Sequence, residues 1–206
     1  MINTRFVALS ITTVTSPVAT SGNLPSMFHL AGIGLLIAER DGDDRWRYDL
    51  TSHAIGAGDG EDALLAWATD TFPDKSILLG WRLADAVLPP LLDAASQGDA
   101  ETGRAFLDRL ARLVTGLSVD LAVSHGGAGA LPFADVAATR GITAGMMTTA
   151  AIESVWSFGE TAGVREHVEA DAVALWQLWL LEGNDRAATA GEAFAAWLEE
   201  RSRRIS

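Results

Sequence analysis

The sequence predicts an α/β fold in which helices flank a mixed sheet and the C-terminal half is helical. Residues 6–13 alternate in polarity and are rich in β-branched side chains, which is typical of a strand. Residues 30–39 and 45–50 lie on either side of Asp41-Gly42-Asp43, whose turn chemistry indicates a hairpin. From Ala84 onward, apolar residues recur at helical spacing. We therefore expect three antiparallel strands, followed by parallel strands that alternate with helices.

The remaining elements follow from the same two periodicities. Residues 61–72 carry apolar side chains at helical spacing, and Pro73 ends that helix. Short apolar runs at residues 76–79 and 119–123 predict two more strands. We predict further helices at residues 133–139, 149–156 and 163–181, and a terminal amphipathic helix that carries Phe194, Trp197 and Leu198.

Length and composition limit the class of protein. With 206 residues, of which 49% are apolar, the chain can bury one substantial core, and we expect a single domain over residues 1–206. The formal charge of −12 repels a phosphate backbone, and no local basic patch is visible. The absence of cysteine excludes disulfides, thiolate metal sites and cysteine nucleophiles, and it fits a reducing cytoplasm. Since neither a signal peptide nor an apolar run of roughly 20 residues is visible, we expect a cytoplasmic protein without membrane contact.

One segment near the end of the chain resembles a nuclease motif. Residues 164–171 are similar to the third motif of the predicted 3′–5′ exonucleases related to the proofreading domain of family B DNA polymerases. That family usually has tyrosine and, four positions later, aspartate, where this chain has His167 and Asp171. Further matches follow the family's order along nearly the whole chain: Phe28-His29-Leu30, Asp41-Gly42, the helix that begins at Glu61, Val119-Asp120-Leu121, residues 133–137, Gly141-Ile142 and Val155-Trp156. The resemblance implies a ribonuclease H-like sheet.

The resemblance also implies an active site in which four acids hold two Mg²⁺ or Mn²⁺ ions. Such ions activate a water and stabilise the leaving oxygen. Here Ser10 and Thr12 stand in place of the Asp and Glu of the first motif, and the second motif keeps its acid, Asp85. The third motif keeps Asp171, while His167 replaces the tyrosine that would orient the attacking water. Because neutral hydroxyls do not neutralise two divalent cations, we expect at most one weakly held metal, on Asp85 and Asp171.

These substitutions lead to three functional hypotheses. The first is a catalytically degenerate exonuclease-like protein that binds single-stranded nucleic acid, a nucleotide or a protein and needs no cofactor. Its vestigial catalytic residues would be Asp85, Asp120, His167 and Asp171. The second is an active Mg²⁺- or Mn²⁺-dependent exonuclease with a rearranged site that recruits a carboxylate such as Asp49 or Glu61. The third is a structural protein in which an exposed tryptophan-rich helix mediates a homo-oligomer or a contact with another protein.

Each of these residues also has a purely structural explanation. Asp85 and Asp120 could each cap a following helical turn. His167 and Asp171 lie one helical turn apart and could form a local pair without a catalytic role. The glycines after His125 are more simply a loop than an anion-binding nest. Core packing explains the tryptophans better than base stacking, and a solvated helix end explains the basic tail; these are Trp156, Trp176, Trp179 and Trp197, and Arg201, Arg203 and Arg204.

Overall fold

The computed structural model describes residues 4–15, 28–43, 45–183 and 186–205. Five strands form one mixed sheet in the order β3-β2-β1-β4-β5. The strands are β1 (Thr4–Thr15), β2 (Phe28–Arg40), β3 (Trp46–Ala54), β4 (Ile77–Gly80) and β5 (Ser118–Asp120). Strands β1, β2 and β3 pair antiparallel, whereas β4 pairs parallel with β1 and β5 parallel with β4. The predicted α/β class and mixed sheet are confirmed.

Helices cover both faces of this sheet. They are α1 (Asp62–Thr71), α2 (Leu88–Gln97), α3 (Ala100–Val114), α4 (Phe133–Thr139), α5 (Thr149–Ser157), α6 (Thr161–Glu182) and α7 (Arg186–Ile205). A π-helix, Leu83–Val87, precedes α2, and two 3₁₀ helices, Leu121–His125 and Gly127–Gly129, follow β5. No helix in the described part of the chain is both long and apolar enough to cross a membrane.

Alternation along the strands divides the core into two layers. In β1, Val7 and Leu9 face a largely aliphatic layer formed with α1, α2 and α3. Phe6 and Ala8 face the opposite layer, where α6 and α7 pack on the sheet. The second layer is rich in aromatic rings: Phe6, Trp46, Tyr48, Trp176, Trp179, Phe194 and Trp197.

Helix α6 lies unusually close to the sheet. A β-carbon added at Gly34 would lie 2.4 Å from the backbone oxygen of Val168, so only glycine fits between β2 and this helix. Trp176 of α6 is fully buried. The core explanation is therefore correct for Trp176, and this side chain contributes nothing to an exposed tryptophan surface.

Two predicted elements differ in the structure. The strand predicted at residues 119–123 ends at Asp120, because the Asp120 carboxylate accepts a hydrogen bond from the N–H of Ala122 and starts a 3₁₀ helix there. The strand predicted at residues 45–50 continues to Ala54. Residues 15–25 are rich in Ser, Thr, Pro and Gly, which predicts an irregular loop. Of these residues the structure describes Thr15, which belongs to β1.

Candidate functional site

The site begins at the end of β1, where two hydroxyl side chains are buried. Ser10 is 6% and Thr12 is 8% exposed. Just beyond them the pairing with β2 is irregular: Thr12 pairs with Gly32 but Thr13 pairs with Leu30, so Ala31 forms a β-bulge. Bulges bend a strand and redirect its side chains. Ser10 and Thr12 thus lie beside the bend.

Asp171 of α6 joins this strand to the loop before α5. Its Oδ1 accepts a hydrogen bond of 2.7 Å from the N–H of Gly145. Burial raises the pKa of the Asp171 carboxyl, and the Gly145 hydrogen bond, the nearby His167 ring and the Ser10 side chain oppose that rise. Asp171 therefore lies beside Ser10 and is tied by one hydrogen bond to the loop before α5.

His167 lies one turn before Asp171 on the same face of α6. Its Nε2 is 3.6 Å from Asp171 Oδ2, too far for a good hydrogen bond. A β-carbon on Gly145 would lie 2.2 Å from His167 Nδ1, so the imidazole packs directly against backbone. Nδ1 is buried and has no hydrogen-bond partner among the described residues. The ring is thus held by packing and is not oriented by Asp171.

A cleft of about 430 Å³ opens beside these residues. The described residues that line it include no lysine, arginine, aspartate or glutamate, and His167 is its one ionisable side chain. The lining combines four threonines with apolar groups: Ile11, Thr12, Thr13, Thr15, Phe28, Ala86, Met147, Thr149, Ile152 and His167. Its chemistry suits hydroxyl hydrogen bonds and apolar contacts, and it lacks the positive charge that attracts phosphate.

Asp85 lies next to this cleft but does not line it. It is an exposed residue inside the π-helix, and its Oδ2 is 3.8 Å from Arg82 Nη2. Arg82, with a φ of 52°, precedes the first residue of that helix, so Asp85 is not its N-cap. The neighbouring Ala86 is the residue that reaches the cleft wall.

Asp120 has a structural role. Its Oδ1 accepts hydrogen bonds from the N–H groups of Arg82, at 2.8 Å, and Ala122, at 3.0 Å. Its Oδ2 accepts a third from the N–H of Leu83, at 2.9 Å. This carboxylate thus ties the start of the π-helix to the end of β5 and caps the following 3₁₀ helix. That arrangement matches the capping explanation.

The other carboxylates considered from the sequence lie elsewhere. Glu61 accepts a short hydrogen bond from the N–H of Leu30, next to the bulge, and burial raises the pKa of this side chain. Asp49 is exposed on the outer strand β3. Within the described ranges, no group of three or more His, Asp or Glu side chains converges as a metal site. The groups around Asp171, the Ser10 side chain and the N–H of Gly145, do not fit a pair of divalent ions that need several carboxylates.

The remaining candidates have ordinary partners. His125 Nε2 forms a short contact with Glu182, and its ring packs against Trp81. Glycines 126 and 127 have positive φ in the loop that follows. In the basic tail, Arg201 pairs with Glu169 and Arg204 with Glu200. Trp156 stacks on His29, Trp179 on Trp176, and Trp197 on Phe194.

Sequence reasoning did not identify several residues of the cleft. Gly145 lies close to His167, and nothing in the sequence indicates this contact except that the residue is a glycine. Phe28 has a sequence signal only as part of the exonuclease-like Phe28-His29-Leu30, although it lines the cleft. The threonines after Thr12 continue a strand rich in β-branched residues, so their pattern indicated a strand and no site.

Comparison with models of protein families finds no match to this chain, and no curated protein matches it. The relationship to 3′–5′ exonucleases therefore depends on the chain's own motifs and strand order. It stays a proposal.

Proposed function

We propose that this protein has a ribonuclease H-like fold of the 3′–5′ exonuclease kind and binds the nucleoside part of a nucleotide or of a single-stranded end, without two-metal hydrolysis. The strand order 3-2-1-4-5, with β2 antiparallel to β1 and with β4 and β5 parallel to it, supports the fold assignment. The motif order in the sequence supports the nuclease ancestry.

The Ser10–Asp171 contact is the observation that carries the loss of catalysis. In a two-metal site, neighbouring carboxylates repel one another until cations bind between them. Here the side chain beside Asp171 is the neutral Ser10, and the N–H of Gly145 donates to Asp171 Oδ1. Thr12, on the same face of β1 as Ser10, adds another neutral side chain.

The cleft lining supports the choice of ligand. Phe28 is 52% exposed where it lines the cleft, and aromatic side chains of this kind stack on bases. Threonine hydroxyls such as Thr13 and Thr149 can hydrogen-bond to sugar hydroxyls or base edges. Since none of the described lining residues is a lysine or arginine, we expect the ring and sugar of the ligand, and not its phosphate, to supply the affinity.

Calorimetry with a nucleoside, the matching mononucleotide and a short single strand tests this proposal. We expect all three to bind with similar affinity in EDTA and in Mn²⁺. The substitution Thr149→Trp should fill the cleft and weaken binding about tenfold or more. Thr143→Trp, at an exposed position outside the cleft lining, is the matched control. Failure of all three ligands to bind the wild type would refute the binding proposal.

A nuclease assay in Mn²⁺ on 3′-labelled single strands tests the loss of catalysis. We expect no cleavage by the wild type, and a gain in Mn²⁺ affinity when Ser10→Asp and Thr12→Glu return both acids to β1. Wild-type cleavage that disappears in Asp171→Asn would instead establish the rearranged, active nuclease.

A further inference from the structure

Strand β3 forms an edge of the sheet and carries unused backbone groups. Two hydrogen bonds give the phase of the β2–β3 ladder, that is, which residues of β3 point their backbone groups toward β2. Ile55 N–H donates to the Ala31 carbonyl, and Asp41 N–H donates to the Arg45 carbonyl. They show that odd-numbered residues of β3 direct their N–H and C=O groups toward β2. Even-numbered residues, among them Trp46, Tyr48 and Leu50, therefore direct theirs outward. Among the described residues, no other strand pairs with this edge.

Two opposite charges alternate along the same edge. Arg47 and Asp49 are exposed and lie on the face of β3 opposite to the aromatic layer. In the part of the chain that the structure describes, neither has a salt-bridge partner. The positive Arg47 precedes Tyr48 and the negative Asp49 follows it, so the strand is complementary in charge to a second copy that runs antiparallel to it.

We propose that β3 pairs antiparallel with β3 of a second copy of this chain, about a two-fold axis at Tyr48, so that two five-stranded sheets become one. Tyr48 would then pair with Tyr48 of the second copy through their outward N–H and C=O groups. Trp46 would pair in the same way with Leu50 of the second copy. Both pairs use even-numbered residues, as the ladder phase requires.

Arg47 would then lie directly opposite Asp49 of the second copy, and Asp49 opposite Arg47. These are non-hydrogen-bonded positions, at which antiparallel side chains approach most closely. Within one chain Arg5 pairs across the strands with Glu39, and Glu39 lies opposite Arg47. The second copy's Asp49 extends this row of alternating charge by one more strand.

Helix α7 lies beside the middle of this edge. A cavity of about 490 Å³ separates it from β3, and the lining combines residues of both elements: Tyr48, Asp49, Leu50, Trp197, Glu200, Arg201 and Arg204. Pairing about Tyr48 therefore brings the second copy's strand next to these α7 side chains. This inference is independent of the ligand proposed for the cleft, which lies at the end of β1.

Charged residues on an edge strand also occur where they prevent pairing. Charge exchange distinguishes an edge whose charges hold a dimer together from an edge whose charges prevent pairing. Asp49→Arg puts arginine opposite arginine across the axis, and Arg47→Asp puts aspartate opposite aspartate. Either substitution alone should weaken the dimer about tenfold or more, because both cross-strand pairs become repulsive. Asp70→Arg and Arg104→Asp make the same charge changes at exposed helical positions and should leave the dimer intact.

The decisive experiment is light scattering after size-exclusion chromatography, over a concentration series of the full chain. We expect a wild-type dimer, two monomeric single variants, and a dimer again when those two variants are mixed, since each then supplies the charge that the other lacks. The double variant, Arg47→Asp with Asp49→Arg, should also form a dimer. Circular dichroism checks that every variant is folded. A wild type that stays monomeric, or a dimer that the single variants leave unchanged, would overturn the proposal.

Discussion

Asp120 and Asp171 are two candidate site residues that accept hydrogen bonds from backbone N–H groups in different numbers. Asp120 accepts three backbone N–H hydrogen bonds and holds together the ends of β5 and the π-helix. Asp171 accepts one backbone N–H and lies 3.6 Å from a histidine nitrogen. The first carboxyl group serves as an acceptor for backbone donors on two elements. Burial raises the pKa of the second, so its surroundings favour the neutral form more than water does. The two residues teach that the groups around an acid, and not its residue type, decide its role.

The largest effect should come from removing the Asp120 carboxylate. Asp120→Ala leaves three backbone N–H groups without their acceptor, and we expect the free energy of unfolding to fall by about 3 kcal/mol. Urea denaturation measures this change, with the exposed Asp70→Ala as control. A loss as small as the control's would mean that water replaces the carboxylate and that the turn does not depend on it.

A smaller loss is expected where Gly145 meets His167. The β-carbon introduced by Gly145→Ala would lie 2.2 Å from His167 Nδ1, so the ring or the loop must move, and the hydrogen bond to Asp171 is disturbed. We expect a loss of about 2 kcal/mol in the same measurement. Gly60→Ala is the matched control, because its β-carbon would enter open space. Equal stability of the two variants would show that the loop before α5 is free to shift.

The smallest effect at neutral pH should come from Asp171→Asn, about 1 kcal/mol or less, because the amide can still accept from Gly145. The pH dependence is more informative. Burial raises the folded-state pKa of Asp171, so its contribution to stability is fully present below the ordinary carboxyl pKa and is lost as the pH rises through the raised value. Asp171→Asn has no carboxyl group at this position, so its stability does not fall with pH in this way. Relative to the wild type, Asp171→Asn should therefore gain stability as the pH rises through the weakly acidic range.

Asp99→Asn should show the opposite pH dependence of stability. Hydrogen bonds from the N–H groups of Thr102 and Glu101 lower the pKa of Asp99, so its contribution is present above the ordinary carboxyl pKa and is lost as the pH falls. Thermal unfolding over a pH series should show opposite slopes for the two differences from wild type. Slopes of the same sign would mean that Asp171 is charged and paired in the folded protein.

The sheet could be predicted from sequence because its signals are local. Strand β1 alternates, the β2–β3 hairpin has turn residues at Asp41-Gly42, and β4 is a short apolar run that follows a helix. The end of β5 could not be predicted from apolar pattern alone. Leu121 and Ala122 are as apolar as strand residues, but the Asp120 side chain takes the N–H of Ala122 as its hydrogen-bond donor.

The candidate site was predictable in its residue types and not in its contacts. The hydroxyl residues Ser10 and Thr12 in β1 are visible in the sequence, and so is the pair His167 and Asp171 at helical spacing. The close contact between Gly145 and His167 depends on how a distant loop packs against α6. This contact accompanies a buried His167 Nδ1 that has no hydrogen-bond partner among the described residues. Such long-range packing leaves no periodicity in the chain.

The bulge at Ala31 bears on how the length of this protein can vary. Gly32 and Leu30, on either side of Ala31, pair with consecutive residues of β1, so Ala31 has no partner in β1. A chain without this residue would keep every other β1–β2 pair and would lose the carbonyl that accepts from Ile55. Insertions and deletions between this protein and its natural relatives should thus be sought inside this strand as well as in the turns.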